Sequence, residues 1–204
     1  MINITQPAKQ KFLIFLATLV FSLPALTAIQ DEKQWQNLHQ QTMDLYDNGQ
    51  YEMAFEQAKI SLDYAQSNFG KTHIHTARSL NTLGFLYHLF GDFQSAEPLY
   101  QTALEIRIAN LGQHHLDTAR TQTNLALLYH DQNRYEHAEL LYTNVLQTLE
   151  NHFGSVHADI AVILTNLSLL YEQTKREDLA QKLHNRAREI RLLEKQKKQN
   201  HGKN

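Results

Sequence analysis

Small and apolar residues recur along this chain at a constant step of 42 residues. The clearest series consists of four alanines, Ala54, Ala96, Ala138 and Ala180. Five further series keep the same step: Ala77, Ala119 and Ala161; Leu83, Leu125 and Leu167; Tyr87, Tyr129 and Tyr171; Gly70, Gly112 and Gly154; and His73, His115 and His157. Several residue types in one register predict an internal structural repeat.

Within each repeat the apolar positions follow the period of an α-helix in two separate stretches. In the second repeat, the first stretch runs from about residue 76 to residue 90 and places Leu80, Leu83 and Tyr87 on one face. The second stretch runs from about residue 93 to residue 110, and its apolar face carries Ala96 and Ala103. A single pair of such helices cannot bury both of its faces, so we expect successive pairs to stack.

Polar and small residues mark the expected helix ends and contacts. Asp92 precedes a second helix, where its carboxylate can accept backbone N–H groups as the N-cap. Asp117 and Asp159 lie just before the first helices of the later repeats, and we expect them to cap those helices in the same way. Small side chains that let paired helices approach closely are predicted at Gly84, Ala126 and Ser168.

The repeat predicts an all-α fold, a solenoid of four antiparallel helix pairs. The approximate repeats are 35–70, 77–112, 119–154 and 161–196, within a domain from residue 29 to residue 196. The basic tail, residues 197–204, is predicted to be disordered.

These residues resemble the tetratricopeptide repeat. In that family a small residue in the first helix is followed three residues later by tyrosine, and alanines occupy the second helix. The matching residues are Gly84, Tyr87, Ala96, Tyr100 and Ala103 in the second repeat, and Ala126, Tyr129, Ala138 and Tyr142 in the third. The 42-residue period is similar to that of the kinesin light chain type. The resemblance implies a right-handed superhelix whose concave face binds peptides or partner proteins.

The segment before Ile29 differs in character from the repeats. Lys9 and Lys11 precede an uncharged apolar run from Phe12 to Leu23, and the segment ends at the small residue Ala28. This order is typical of a secretory signal peptide, and we predict cleavage after Ala28. The apolar run would span about 18 Å as a helix, less than the roughly 30 Å of a bilayer core. An uncleaved membrane anchor is the alternative, and either outcome predicts an exported protein, periplasmic or secreted.

Composition and charge exclude several classes of site and partner. The chain of 204 residues has no cysteine, which excludes disulfides, thiolate zinc sites and cysteine nucleophiles. Its net charge of −2 combines an acidic body, with 9 basic and 19 acidic residues in 29–181, and a basic end, with 8 basic and 2 acidic residues in 182–204. This balance argues against nucleic acid as a partner. We interpret the basic end as a solvated cap and tail, or else as a contact for anionic lipid or an acidic partner.

Candidate partner-binding residues lie on the first helices of the pairs. They are Arg78, Asn81, Thr82, Phe85, Arg120, Asn124, Leu127, Asn166 and Leu169. By resemblance to the family, Arg and Asn at such positions hold peptides, since Arg can pair with a carboxylate and Asn can bond both N–H and C=O of an extended backbone. The alternative is structural: Asn can bridge adjacent helices, while Phe85, Leu127 and Leu169 pack between successive first helices.

The twelve histidines raise the question of a metal site. The linker histidines recur with the repeat and therefore lie about one repeat apart, which favours a role in the linkers. His88, His130 and Asp131 are the remaining candidate ligands. The sequence contains no phosphate-binding glycine loop and no zinc-protease or serine-hydrolase motif. We therefore predict no catalytic residue, no metal and no cofactor.

The sequence as a whole predicts an exported, non-catalytic scaffold that binds a peptide or partner protein in a concave groove. It predicts membrane contact only if the amino-terminal segment stays attached, and it leaves the oligomeric state open. Two other functions fit the same sequence: an envelope assembly factor anchored by that segment, and a metal-dependent enzyme built on histidines.

Overall fold

A computed structural model describes the backbone from residue 6 to residue 201 and the side chains from residue 27 to residue 199. Within this range the chain forms eight α-helices in four antiparallel pairs. The pairs are α1 (Gln6–Asp47) with α2 (Tyr51–Phe69), α3 (Ile74–Leu89) with α4 (Phe93–Leu111), α5 (Leu116–Asp131) with α6 (Tyr135–Phe153), and α7 (Ala158–Gln173) with α8 (Glu177–His201). Each helix packs on its pair mate, and successive pairs meet mainly through α2 with α3, α4 with α5 and α6 with α7, so the predicted all-α solenoid is confirmed.

The two ends of the chain are more helical than the sequence analysis expected. Helix α8 continues to His201, so the prediction of disorder is wrong for residues 197–201, while residues 202–204 lie outside the described residues. The physical reason is that Gly202 is the first glycine or proline after α8 begins, and nothing before it breaks the helix. Helix α1 runs through Ala28, and cleavage there stays a prediction.

The beginning of the predicted signal segment, residues 1–5, lies outside the described residues. In the part of the chain that is described, none of the helices combines the length and hydropathy needed to cross a membrane.

The largest cluster of buried residues runs from α4 to α8, and the partly buried Phe85 connects it to a smaller cluster of the first two pairs. The side chains of the largest cluster are fully buried at Tyr100, Leu128, Tyr142 and Leu164. Within the second pair, a Cβ atom added at Gly84 would lie 3.1 Å from the Tyr100 ring, so this helix contact requires glycine or a small shift of the ring. The predicted close approach at this small residue is therefore confirmed.

The turn inside each pair has the same construction in all four repeats. One residue adopts a left-handed conformation at equivalent positions, which are Gly49, Gly91, Asn133 and Lys175. In the third pair the next amide, that of Arg134, donates to the carbonyl of Tyr129 at 2.8 Å and closes the end of α5. Equal turns give the pairs equal geometry, which keeps the stacking regular.

The first helices of the last three pairs begin at histidine. The Nδ1 atom of His115 accepts a hydrogen bond from the backbone N–H of Asp117 at 3.1 Å, and His73 and His157 make the same contact two residues ahead. The expectation that Asp117 and Asp159 are N-caps is wrong, because each is the second residue of its helix, where its charge faces the positive end of the helix dipole. The predicted cap at Asp92 is confirmed, since its carboxylate accepts the Ser95 amide at 3.1 Å.

A glutamate, an arginine and a tyrosine form a clamp across two of the boundaries between repeats. Arg134 donates to both carboxylate oxygens of Glu97, at 2.9 and 2.8 Å, and its guanidinium lies 4.0 Å from the centre of the Tyr129 ring. The same clamp recurs one repeat later, and its members are Glu139, Tyr171 and Arg176. Hydrogen bonds from Arg176 hold the pKa of Glu139 below its usual value. Each clamp ties the second helix of one pair to the next pair.

A buried tryptophan holds the start of the array together. Trp35 is 1% exposed, donates from Nε1 to Ser79 Oγ at 2.9 Å, and stacks on His75 with a ring separation of 3.9 Å. Its other neighbour, His39, is 7% exposed and has an Nδ1 atom without a hydrogen bond. Burial, with smaller contributions from Arg78 and His75, lowers the pKa of His39 from 6.5 to about 4.

The histidine caps predict a specific order of stabilities. Replacing His115 with Ala removes the acceptor for the Asp117 amide, so His115→Ala should lower the free energy of unfolding by about 1 kcal/mol. Since asparagine is a good N-cap, His115→Asn should retain most of the cap's contribution to the free energy of unfolding. Urea unfolding followed by circular dichroism measures both, with the exposed His184→Ala as control. Equal stabilities of His115→Ala and the unchanged protein would contradict this role.

The buried His39 predicts a pH dependence of stability. Because its folded pKa of about 4 lies below the ordinary 6.5, the unfolded chain takes up this proton first as pH falls. The stabilisation that comes from keeping His39 neutral is fully present above pH 6.5 and is lost between pH 6.5 and 4, by an amount on the order of 3 kcal/mol. Urea unfolding at a series of pH values should show this loss, and His39→Gln should reduce the slope over that interval. If the free energy of unfolding of His39→Gln depended on pH as steeply as that of the unchanged protein, His39 would not be the source of the loss.

Candidate partner-binding groove

A groove with a volume of about 350 Å³ opens along α5 and is completed by α3, α6 and α7. Its polar lining consists of Asn81, Arg120, Thr123, Asn124 and Asp159. Its apolar lining consists of Leu116, Ala119, Val145, Leu149, Phe153, Val162 and Ile163. The groove exists only because three successive helix pairs are stacked, since each pair supplies part of the wall.

Two asparagines link neighbouring repeats at one edge of this groove. Asn124 Nδ2 on α5 donates to Asn81 Oδ1 on α3 at 3.1 Å, and both side chains are half-buried. These two asparagines therefore bridge adjacent helices, which is the structural role given above as the alternative to partner binding. The bridge uses one donor and one acceptor, and an asparagine amide has two donors and an acceptor with two lone pairs. Asn81 Nδ2 and Asn124 Oδ1 therefore keep bonding capacity at the groove wall.

Arg120 supplies a positive charge at the same wall. Its side chain is 78% exposed, and its one ion pair is with Asp117, one turn earlier, at 3.7 Å. Exposed pairs of this kind contribute little, so the guanidinium can exchange Asp117 for another carboxylate at small cost.

An exposed valine joins the groove to a second cavity at the carboxyl-terminal end. Val162 is 51% exposed and also lines a cavity of about 630 Å³ between α7 and α8. The basic residues of that cavity are Arg191, Lys195 and Lys198. The sequence predicts these side chains only as part of a cap and tail, whereas helix α8 brings them beside the groove. Continuation of the helical period beyond residue 196 is the signal that could have placed them there.

The structure brings three of the nine predicted partner-binding residues together at the groove: Asn81, Arg120 and Asn124. Arg78 lies at the start of the array, with its guanidinium 5.7 Å from the Trp35 ring. Phe85 packs between two core clusters and meets Tyr46 edge-on at 5.2 Å.

The other predicted residues lie along the first helices away from the lining of this groove. Leu127 packs against the core, and Thr82 and Asn166 are half-buried. Leu169 is 46% exposed, so it is accessible to a partner although it lines neither cavity.

The three candidate metal ligands are joined to one another by hydrogen bonds. Asp131 Oδ2 lies 2.7 Å from His88 Nε2, and Asp131 Oδ1 lies 3.4 Å from His130 Nδ1. The carboxylate thus bridges two imidazoles of neighbouring repeats. Among the residues that the structure describes, no group of three or more His, Asp or Glu side chains has an arrangement that could hold a metal ion.

Comparisons with known proteins give the same repeat type. The Tetratricopeptide repeat family model matches residues 38–109 and 91–151, which together span more than half of the chain. No curated protein is significantly similar to the chain.

Solved structures of similar fold include kinesin light chain-like proteins. BtubC (BKLC) from P. vanneervenii is 25% identical with a TM-score of 0.68, over 74% of this chain and 61% of that one. A putative kinesin light chain from Podosopora anserina, with nearly identical TPR-like repeats, is 19% identical with a TM-score of 0.70, over 78% of this chain and 75% of that one. The apo form of RapI is 15% identical with a TM-score of 0.66, over 78% of this chain and 43% of that one. The chain thus spans less than two thirds of the BtubC structure.

The constant repeat register, the stacked helix pairs and the match over residues 38–151 agree with one another, and the chain, which is similar in fold to kinesin light chain-like proteins, belongs to the tetratricopeptide repeat family.

Proposed function

We propose that this protein is an exported interaction scaffold that binds an extended peptide segment of a partner protein in the groove along α5. Tetratricopeptide repeat proteins bind protein or peptide partners, and their fold is typical of scaffolds without a reaction of their own. The observation that carries the proposal is the combination, in one groove, of the exposed Arg120, the Asn81–Asn124 pair and an apolar wall. We assign no catalytic step to this groove.

The groove offers a distinct contact for each part of a peptide. The free amide donor of Asn81 and the free acceptor of Asn124 match the C=O and N–H groups of an extended backbone. Arg120 can form a charge-assisted pair with a carboxylate, and Val162 with Phe153 supplies partly exposed apolar surface for a side chain. A small number of polar groups on an apolar wall is the usual composition of a binding site.

Site-specific crosslinking tests the groove. A photo-crosslinking amino acid at Thr123, which lines the groove, should capture a partner in the native compartment. Arg120→Glu with Val162→Asp should reduce that capture by about tenfold or more, because it reverses the charge and removes apolar surface. Both positions are exposed, so the fold should be retained, as circular dichroism would show.

The matched control reverses an exposed arginine of α8 that lines neither cavity. Arg188→Glu with the exposed Leu192→Asp changes the net charge by the same −3 as Arg120→Glu with Val162→Asp and should leave capture unchanged. Equal loss in both variants would reduce the effect to overall charge and reject the groove as the binding site.

The export proposal rests on the segment that ends at Ala28 and on the contacts made by the residues that follow it. Asp31 accepts a hydrogen bond from the Tyr64 hydroxyl at 2.9 Å, Glu32 bonds to His75, and Trp35 is buried, while Ile29 and Gln30 are exposed. Cleavage after Ala28 would therefore leave these contacts of α1 with α2 and α3 in place.

Mass spectrometry of the native protein should find Ile29 as the first residue. A chain starting at Ile29 should also fold and unfold cooperatively, because the contacts of Asp31, Glu32 and Trp35 remain. Recovery of the intact amino terminus in a membrane fraction would instead favour the anchored assembly factor. Recovery of the intact chain in the cytosol would reject export.

A further inference from the structure

The boundary between the first and second pairs lacks the clamp of the later boundaries. Tyr129 and Tyr171 each carry an arginine guanidinium, about 4 Å from the ring centre, that is also paired with a glutamate. At the equivalent positions of the first boundary the tyrosine is kept as Tyr87, but the glutamate is replaced by Phe55 and the arginine by Asp92. At the later boundaries a guanidinium lies on the tyrosine equivalent to Tyr87. At the first boundary the residue that would supply it is Asp92, so Tyr87 receives no guanidinium from that position.

A cavity of about 380 Å³ lies at this place, between α2, the end of α3 and the start of α4. It is lined by Glu52, Phe55, Glu56, Tyr87, Phe90 and Asp92. The Phe55 and Tyr87 rings meet at 88° with centres 4.8 Å apart, and Phe55 and Phe90 meet at 90° with centres 5.8 Å apart. Phe90 is 47% exposed, so the aromatic lining is open to solvent. This cavity shares no residue with the groove along α5.

The rim of this cavity is acidic. Hydrogen bonds from Ser95 hold the pKa of Asp92 below its usual value, so Asp92 carries a full negative charge at neutral pH. Glu52 and Glu56 lie on the helix opposite. The chain already places one cation at the edge, since Lys59 Nζ lies 4.4 Å from the Phe55 ring centre and 2.9 Å from Glu56. Rings with a carboxylate rim favour a cation that is attracted by both.

We propose that this cavity binds an arginine side chain from a basic segment of a partner protein. The occupant's guanidinium lies against Tyr87 and Phe90, and its N–H groups bond to Asp92 and Glu52. Arginine fits better than lysine because its flat guanidinium stacks on a ring while its edge pairs with carboxylates, as Arg134 and Arg176 do within this chain. The occupant thus completes, in trans, the interaction that the later boundaries make in cis.

The probe for this site is a capped peptide, Gly-Ser-Arg-Ser-Gly, and its neutral counterpart with citrulline in place of arginine. Both are titrated into the full chain at low salt, and aromatic and amide NMR shifts are followed at Tyr87, Phe90 and Ser95. We expect saturable shifts at these residues with the arginine peptide, and binding at least about fivefold weaker with citrulline. Similar binding of both peptides, or no shift at these residues up to about 10 mM peptide, overturns the proposal.

The decisive variant is Asp92→Arg. It places the chain's own guanidinium at the position of Arg134 and Arg176 and removes a carboxylate, so binding of the arginine peptide should weaken by about tenfold or more. The equivalent positions before α6 and α8 already hold arginine, which has no acceptor atom for a side-chain cap, and this indicates that the fold accepts it. Unchanged binding by a folded Asp92→Arg protein overturns the proposal.

Two further variants separate the site from general attraction to the acidic body. Glu52→Gln should weaken binding, whereas Glu136→Gln, the matched change at the equivalent position of the third repeat, should not. Lys59→Gln should tighten binding because it frees Glu56 and the Phe55 ring. Equal weakening by Glu52→Gln and Glu136→Gln overturns the proposal.

If the protein self-associates and Asp92→Arg abolishes the association, the occupant of the cavity is a second copy of this chain. That result would overturn the proposal of a separate partner protein. The groove variant Arg120→Glu with Val162→Asp should leave the arginine peptide's affinity unchanged. The arginine site and the groove are therefore tested independently, and failure of one proposal leaves the other unaffected.

Discussion

Each helix pair of this protein has apolar surface on two sides, and only a neighbouring pair can cover the second side. Tyr100 and Tyr142 show how complete that cover is, since both are fully buried and their hydroxyl groups have no hydrogen-bond partner among the described residues. Burial raises the pKa of both phenols. A pair removed from the array would expose these rings, so stability is distributed between neighbours along a line. The groove along α5 follows from the same constraint, because its wall is assembled from three pairs.

The boundaries between pairs lie at equivalent positions of the repeat but differ in chemistry. Two of them are closed by a glutamate, an arginine and a tyrosine whose polar groups satisfy one another. The first is closed by aromatic rings around Phe55, with carboxylates left at the rim. Residues that keep the repeat register build the fold, and residues that depart from it give each boundary its own surface. The proposed arginine site lies at such a departure, whereas Arg120 of the groove keeps its equivalent at Arg78.

Much of the fold could be predicted from the sequence because its determinants are local and periodic. The helix pairs, the cap at Asp92 and the glycine required against Tyr100 all follow from short-range rules that apply in one repeat after another. The histidine caps were missed because an imidazole before a helix is read as an ordinary linker residue, although its recurrence at three helix starts was visible. The partner-binding residues stay a prediction, and three of the nine line the groove along α5. Which first-helix residues meet there depends on the angle between successive pairs, and no local pattern encodes that angle.

The histidine caps give the three linkers a shared chemistry. In each linker the Nδ1 atom of the imidazole accepts a backbone N–H of the helix that follows. Aspartate or serine in the same place could also accept that hydrogen bond, but neither has a ring to pack. In two of the linkers the imidazole stacks on the phenylalanine that ends the preceding helix, His73 on Phe69 and His157 on Phe153, so one side chain joins the end of a helix pair to the start of the next.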